Sequence, residues 1–332
     1  MSAIRNDTSD EQHWWESLSF PFSDVQVENG CRPVGFRFSP HIVNISATLG
    51  GQDILVCGEA RTANLAMTKA IAELLERATL ITHSINTGAS RYSSNGWASH
   101  ETMELAREAA IFEVLERDAV LSQWYKSTPF LKIECAELPR ALHQWKDEEL
   151  SQSEFPNLTV LLSTEGLGPS VTCLLTNGDG YGVSGHATKS TLADSIESAL
   201  SEACRAAHLA LRRAFWSDTL KLKNTLGPPE SCEPAAHAIY YAYHEPFPHW
   251  LVGDSLSWSQ AIALWNPHHS LEKSDFSFTL LSREPLFVGR AASPLAITPQ
   301  WGAPDAEYLE SLSENKRFNL KDGLNLKPHI VA

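Results

Sequence analysis

The feature that most constrains this chain is the part of a predicted helix from residue 109 to 124, which is apolar in nearly every direction but also carries charges. Its charged residues include Glu113, Glu116 and Arg117. A helix that is apolar all round lies in the protein interior. Glutamate and arginine are rarely buried there unless they are paired or bind a metal. The apolar residues are Ile111, Phe112, Val114, Leu115, Val120, Leu121 and Trp124.

Two further predicted helices carry charges in a similar arrangement. On residues 63–83, Glu73, Glu76 and Arg77 share one face, because residues three and four apart are neighbours on a helix. On residues 191–215, the opposite face from the apolar stripe carries Asp194, Glu202 and Arg205, with Glu197 on its edge. Each of the three helices follows a strand and a turn, so the pattern suggests three related units. Chance resemblance between amphipathic helices, with solvated faces and local ion pairs, is the alternative.

Buried carboxylates on facing helices repel each other, so a cation should lie between them. Mg²⁺ fits, since it takes oxygen ligands and commonly bridges carboxylates to nucleotide phosphates. A purely structural network of Glu113, Glu116 and Arg117 remains the alternative. The sequence has no Walker A loop, no GxGxxG motif before a helix and no GxSxG elbow. Nucleotide binding would therefore be of a carboxylate–metal kind.

Composition narrows the function classes. The 332 residues are 43% hydrophobic and 20% charged, which is typical of a globular protein with a substantial core. The net charge of −14 argues against a nucleic-acid or anionic-membrane surface, because both need basic residues. The six cysteines are scattered without a CxxC pair, so neither a zinc site nor a disulfide scaffold is predicted. With no signal-like or membrane-spanning apolar stretch, a cytoplasmic location is expected.

Strands alternate with helices along the chain, which predicts an α/β or α+β class. Residues 1–30 are expected to be a loose N-terminal segment, and residues 224–250 an irregular Pro-rich stretch. The predicted strands are 34–47, 52–57, 158–163, 170–177, a strand ending at Gly185, 276–281 and 286–292. The predicted helices are 63–83, 101–125, 137–152, 191–215 and 305–316.

Three segments resemble the YcaO family. They are Ala70 to Arg77, which contains ExxER; Ser93-Ser-Asn95-Gly96 leading to Glu113-Val-Leu-Glu116-Arg117-Asp118; and Gly185-His-Ala followed by Glu197, Glu202 and Arg205. The resemblance covers residues 34–215 well and the remaining C-terminal part loosely. It implies a YcaO domain at residues 34–332 behind an N-terminal segment at 1–33.

The resemblance implies a fold in which repeated strand–turn–helix units surround ATP held through Mg²⁺. It implies O-phosphorylation of a backbone amide in a ribosomally synthesised precursor peptide. Azoline-forming cyclodehydration is the leading reaction, and thioamide or amidine formation comes next. A partner protein would deliver the peptide, and a homodimer is possible. The implied metal ligands are Glu73, Glu76, Glu113, Glu116 and Glu202, and the implied ATP or phosphate contacts are Arg77, Asn95, Arg117 and Arg205.

Several positions depart from the family pattern. Glu59 stands where the family has a lysine in a GKG turn, and Arg205 where it has a glutamine; Lys69 or Arg61 is expected to supply the missing positive charge. These departures favour an alternative function: the protein would be a degenerate scaffold that binds a partner or peptide without ATP turnover. The buried charges of residues 113–117 argue against it, because a degenerate site should lose costly buried carboxylates. The remaining departures are Ala98, Glu101, Leu105 and Ser198.

Overall fold

The structure of the protein is a computed structural model. It describes residues 18, 20–31, 41–60, 62–87, 95–134, 138, 150, 153–211, 240–242, 245–268, 276–299, 307–308, 310–311, 318, 324–325, 327 and 329–330. The strands are β1 (Ser23–Cys31), β2 (His41–Leu49), β3 (Gln52–Ala60), β4 (Trp97–His100), β5 (Phe130–Ile133), β6 (Asn157–Ser163), β7 (Ser170–Thr176), β8 (Gly182–Ala187), β9 (Val252–Leu256), β10 (Ser277–Ser282) and β11 (Phe287–Ala292). The helices are α1 (Ala63–Thr87), α2 (Met103–Tyr125), α3 (Leu192–Leu211) and α4 (Trp258–Leu264), with a 3₁₀ turn at His249–Leu251.

The described strands form three sheets. The first has the order β1-β2-β3, the second β10-β11-β4, and the third β8-β7-β6-β5-β9. Pairing is antiparallel throughout except between β5 and β9, which run parallel. Strands β3, β4 and β8 are each the edge strand of a different sheet, and each is followed in the chain by a long helix. This confirms the three strand–turn–helix units and the mixed α/β class.

Helices α1 and α3 lie directly on the strands that precede them. Small residues allow the close approach: a Cβ at Gly58 of β3 would overlap the backbone of Ala66 in α1. A Cβ at Gly185 of β8 would overlap the backbone of Ala199 in α3. The apolar stripe of α1 packs on β2 and β3, and that of α3 packs on β7 and β8, forming separate core clusters. Both helices therefore lie with their apolar stripes on their own sheets.

Helix α2 is the central element. Thr102 caps its N-terminus, where the Thr102 hydroxyl accepts a hydrogen bond from the Leu105 N–H at 3.2 Å. Of the helix's 23 residues, 14 are buried. The helix contacts β4 and β11 on one side and β6, β7 and β8 on another. The prediction of an interior helix is thus confirmed, and its charged residues lie between two sheets.

Asp118, which directly follows the charged residues of α2, is completely buried. Its carboxylate accepts hydrogen bonds from the backbone N–H groups of Leu167 at 2.7 Å and Ile297 at 2.8 Å. Both bonds reach segments far away in the chain. Asp118 therefore fixes two loops against α2 and stabilises the arrangement of the sheets around it.

Most predicted elements are present, with shifted ends. Strand β2 (His41–Leu49) overlaps the predicted strand 34–47 and ends after it. Helix α1 continues to Thr87, past its predicted end at residue 83. Strands β1, β4, β5 and β9 and helix α4 were not predicted from the sequence. The prediction of a loose segment at residues 1–30 was wrong for residues 23–30, which belong to β1 and pair with β2 because β2 offers an unpaired edge. Most of the predicted helices 137–152 and 305–316, and of the stretch 224–250, lies outside the described residues; the division at residue 33 stays a prediction.

In the described part of the chain, no helix is both long enough and apolar enough to cross a membrane.

Candidate nucleotide and metal site

The three edge strands and their helices meet around one cavity of about 390 Å³. Strand β3 contributes Cys57 and Glu59, β4 contributes residues 97–99, and β8 contributes His186. Helices α1, α2 and α3 complete the wall with their charged faces. Cavities of several hundred Å³ are typical of small-ligand sites. The cavity is therefore the place where the three units of the fold combine.

The wall of this cavity is highly charged. It holds six carboxylates and four cations, so it has an excess of negative charge if all are ionised. The carboxylates are Glu59, Glu73, Glu76, Glu113, Glu116 and Glu202. The cations are Lys69, Arg117, Lys189 and Arg205.

Two of the carboxylates are held in the same way. The backbone N–H of Cys57 donates to Glu73 Oε2 at 3.3 Å, and that of His186 donates to Glu202 Oε2 at 2.6 Å. In both cases strand donor and helix acceptor are 16 residues apart. Each Oε1 atom faces an arginine on its own helix: Arg77 Nη2 lies 3.6 Å from Glu73, and Arg205 Nη2 lies 3.5 Å from Glu202. The resemblance between these two units therefore extends to the hydrogen bonds of their acidic groups.

The α2 unit places its charges deeper. Glu116 Oε1 lies 3.5 Å from Arg117 Nε, and the two side chains are 12% and 16% exposed. The backbone of Thr188, just after β8, also hydrogen-bonds Glu116. Since α2 is buried between two sheets, Glu113, Glu116 and Arg117 meet the open space of the cavity, whose wall they line.

Burial perturbs the protonation of these acids. Burial raises the pKa of Glu113 to about 8; the positive charge of Arg117 opposes the rise, and the negative charge of Glu116 adds to it. Burial raises the pKa of Glu116 to about 7 despite the opposing charge of Arg117. Burial and the Glu113 carboxylate hold the pKa of Glu76 well above its usual range. The nearby arginines therefore do not fully offset the cost of burying these carboxylates in the charged form. A bound cation would supply the additional positive charge.

A second group lies where β3 meets α1. Burial raises the pKa of Glu59 to about 7, although Arg205 and Lys69 oppose the rise, and the Ser201 hydroxyl donates to its carboxylate at 2.9 Å. Burial lowers the pKa of Lys69, and the charges of Lys189 and Arg205 add to that effect. Lys69 and Arg205 therefore lie near Glu59, and Lys189 lies near Lys69.

The donor set fits Mg²⁺, which prefers oxygen ligands and is usually held by a few carboxylates plus substrate phosphates. The described residues contain no group of three His, Cys, Asp or Glu side chains arranged to hold a metal ion. The carboxylates are instead spread around the cavity and engaged by arginines and backbone N–H groups. Such a wall suits ions that arrive with further ligands, as the phosphates of a nucleotide would supply.

The structure brings together all five glutamates predicted as metal ligands, together with Arg117 and Arg205. Of the other predicted residues, Arg77 reaches the site through Glu73, and Asn95 is buried just before β4 outside the cavity wall. Their predicted contacts with ATP stay predictions. Sequence reasoning had named Glu59 only as a departure from the family pattern and Lys69 only as a possible source of charge. It missed Cys57, Lys189, Ser201 and His186.

The chain resembles known proteins in its sequence profile and in its fold. A profile described as YcaO cyclodehydratase, ATP- and Mg²⁺-binding, matches residues 79–272, from the second half of α1 to beyond α4. No curated protein sequence matches significantly.

Several solved structures are similar. YcaO from Methanopyrus kandleri bound with AMPPCP and Mg²⁺ has a TM-score of 0.56 at 12% identity, covering 81% of this chain and 85% of that one. A heterocyclase in complex with substrate and cofactor has a TM-score of 0.55 at 12% identity, covering 92% of this chain and 54% of that one. A chain of the E. coli microcin synthetase McbBCD complex has a TM-score of 0.52 at 12% identity, covering 82% and 88%. At such identities the likeness shows a shared fold.

The profile matches more than half of the chain, and the fold is that of the YcaO structures. Glu113, Glu116, Arg117, Glu202 and Arg205 lie inside the matched segment, whereas Glu73 and Glu76 precede it. The chain belongs to the YcaO family, and its cofactors are ATP and Mg²⁺.

Proposed function

We propose that this protein uses ATP and Mg²⁺ to activate a backbone amide of a ribosomally synthesised precursor peptide by O-phosphorylation. The observation that carries the proposal is the cavity wall, where α1, α2 and α3 each supply carboxylates and arginines to one space. Buried acids with raised pKa values are costly to keep, so their presence supports a role in binding cations. A degenerate scaffold would have no use for them.

The roles follow from position. Five glutamates would hold Mg²⁺, and Arg117 and Arg205 would face the phosphates. Lys69 and Lys189, which line the same cavity, would add to the positive charge around the phosphates. Arg77 would orient Glu73, and Asn95 would contribute to the nucleotide site from the start of β4. The five proposed ligands are Glu73, Glu76, Glu113, Glu116 and Glu202.

When bound, the metal neutralises phosphate charge, which favours transfer of the terminal phosphoryl group to an amide oxygen. The arginines would stabilise the charge that develops on that group, and the buried wall would strengthen their effect by excluding water. A Cys, Ser or Thr side chain of the peptide would then attack the amide carbon, and phosphate would leave with the amide oxygen. The product is an azoline ring, consistent with the cyclodehydratase description of the family.

Thioamide or amidine formation would follow from the same activation with sulfide or an amine as the nucleophile. We infer that a partner protein delivers the peptide. Similar chains include a heterocyclase bound to its substrate and a chain of a multiprotein synthetase complex. A homodimer remains a further proposal.

Calorimetric titration of ATP with Mg²⁺ tests the nucleotide site. Wild-type protein is expected to bind, and a Glu113→Gln, Glu116→Gln double variant to bind at least about tenfold more weakly, as for loss of metal-site residues. Glu165→Gln is the matched control, because Glu165 pairs with Lys126 at the surface, 2.9 Å away, outside the cavity wall. EDTA should abolish binding by the wild type. Equal binding by the double variant would remove these glutamates from the site.

Mass spectrometry of a candidate precursor peptide tests the chemistry. Incubation with the protein, its partner and Mg·ATP should remove one water per azoline ring and release phosphate. Exchange of oxygen for sulfur would indicate thioamide formation instead. If the wild type binds no ATP and releases no phosphate, with or without partner and peptide, the degenerate scaffold is the correct reading.

A further inference from the structure

Residues 327 and 330 contact α2 and the third sheet. His329 and Ile330 are each 2% exposed. The indole N–H of Trp124 donates to the carbonyl oxygen of Lys327 at 3.2 Å, and the Ser184 hydroxyl of β8 donates to that of Ile330 at 2.7 Å. A distant part of the chain is therefore tied to β8, a strand of the cavity wall.

His186 makes a second bond to the same carbonyl and thereby reveals its tautomer. Its Nε2 lies 2.9 Å from the Ile330 oxygen, and its Nδ1 lies 2.9 Å from Thr172 Oγ1 on β7. A carbonyl oxygen only accepts, so Nε2 carries the hydrogen. The residue is 3% exposed, so both ring nitrogens meet protein atoms and not solvent. Nδ1 then accepts the Thr172 hydroxyl hydrogen, and the imidazole bridges β7, β8 and Ile330.

The backbone of the same residue holds a carboxylate of the site, since its N–H donates to Glu202 Oε2 at 2.6 Å. In the described part of the chain, β8 pairs with β7 along one edge, and its other edge has no strand partner. Helix α3, which carries Glu202, packs on the face of β8. The imidazole of His186 adds two contacts that hold β8 from the side of β7 and Ile330, and so helps to keep the N–H aimed at the carboxylate.

We propose that His186 is a positioning residue, whose Nε2–H imidazole clamps β8 between Thr172 and Ile330 so that the His186 backbone N–H fixes Glu202 for binding Mg·ATP. The inference rests on the proposed function only for the ligand of Glu202. The clamp itself is a property of the folded chain without any ligand.

Three substitutions separate the two side-chain bonds. Glutamine places an amide N–H near the position of Nε2, so His186→Gln keeps the bond to Ile330. Asparagine places its amide oxygen near Nδ1, so His186→Asn keeps the bond to Thr172 and loses the one to Ile330. His186→Leu loses both. Ser277→Ala, which removes an exposed hydroxyl bonded to Ala292 at 3.2 Å, is the control.

Two measurements need no nucleotide. Long-range ¹H–¹⁵N spectra of the wild type should show the Nε2–H tautomer of His186. Hydrogen exchange of peptides covering residues 182–187 should be faster in His186→Leu and His186→Asn than in the wild type, His186→Gln and Ser277→Ala. An Nδ1–H tautomer, or unchanged exchange in His186→Leu, would overturn the clamp whether or not the protein binds ATP.

Titration with Mg·ATP then tests positioning. His186→Leu and His186→Asn should raise the Kd about tenfold, as for loss of an outer-shell partner of a metal ligand, and His186→Gln should restore it to near the wild-type value. Faster exchange with an unchanged Kd would show a merely structural clamp and refute the positioning role. A wild type that binds no Mg·ATP would refute the proposed function and, with it, the positioning role, whereas the clamp would still be decided by exchange and tautomer.

Discussion

Glu59 offers a direct test of the electrostatics of the cavity, through the substitution Glu59→Gln. The side chain is 6% exposed, and burial raises its pKa from 4.5 to about 7. At about 1.4 kcal/mol per pH unit, this difference corresponds to about 3 kcal/mol of folding free energy. Glutamine has nearly the same shape and still accepts from the Ser201 hydroxyl, but it carries no charge to bury.

The sign follows from proton binding. Between pH 4.5 and about 7 the folded protein holds the Glu59 proton and the unfolded chain has released it. The contribution of Glu59 to stability is therefore fully present below pH 4.5 and is lost as the pH rises towards 7. The unfolding free energy of Glu59→Gln minus that of the wild type should increase by about 3 kcal/mol between pH 4.5 and pH 8.

Urea unfolding at a series of pH values, without Mg²⁺ or nucleotide, measures this difference. Taking the difference cancels the titration of groups that both proteins share, such as Glu113 and Glu116. Glu165→Gln should give a flat difference, since Glu165 lies in a partly exposed surface pair. A flat or falling difference for Glu59→Gln would mean that Lys69 and Arg205 fully compensate an ionised Glu59, and the reasoning from burial would be refuted.

Three further predictions concern the scaffold, and each is checked by urea unfolding or thermal melting. Asp118→Ala should lower the free energy of unfolding by about 3 kcal/mol, because two buried backbone N–H groups lose a charged acceptor; a loss below about 1 kcal/mol would contradict this role. Gly185→Ala should prevent α3 from seating on β8 and cost about 3 kcal/mol or more, by overpacking, whereas Gly178→Ala, with open space around it, should change stability by less than about 0.5 kcal/mol. Ser257→Ala removes the capping box of α4 and should cost about 1 kcal/mol; no change would show that the cap is not limiting there.

Elements with strong periodicity could be predicted, and short or unpatterned ones could not. Helices α1, α2 and α3 were found because their apolar residues recur at helical spacing over many turns. Strand β4 has only four residues and directly follows Gly96, whose φ of 76° marks a turn. The local sequence therefore predicted the turn but not the strand. Strand β9 pairs in parallel with β5, more than a hundred residues earlier, and nothing local encodes such a partner.

The residues of the candidate site also differ in how far the sequence could predict them. Glu113, Glu116 and Arg117 could be predicted because charged side chains on a buried helix are costly unless a partner or a bound ion compensates their charge. His186 and Lys189 gave no such signal, because each reaches the cavity only through the packing of sheets. Glu59 left a weak signal, because it stands near the end of β3 among buried residues, where a carboxylate is costly to bury.

The convergence of three edge strands on one cavity also has a consequence for how the protein matures. During synthesis β3 with α1 and β4 with α2 leave the ribosome well before β8 and α3, and domains tend to form from the N-terminus onward. The cavity that encloses the acids of α1 and α2 can therefore form only after Glu202 and Arg205 have been synthesised. Nascent chains shorter than about residue 211 would hold those acids open to water, ionised and without cost. Strand β4 also pairs with β11, which is made later still, so the cavity is complete only when most of the chain has been synthesised. Nucleotide binding would therefore report on completed folding.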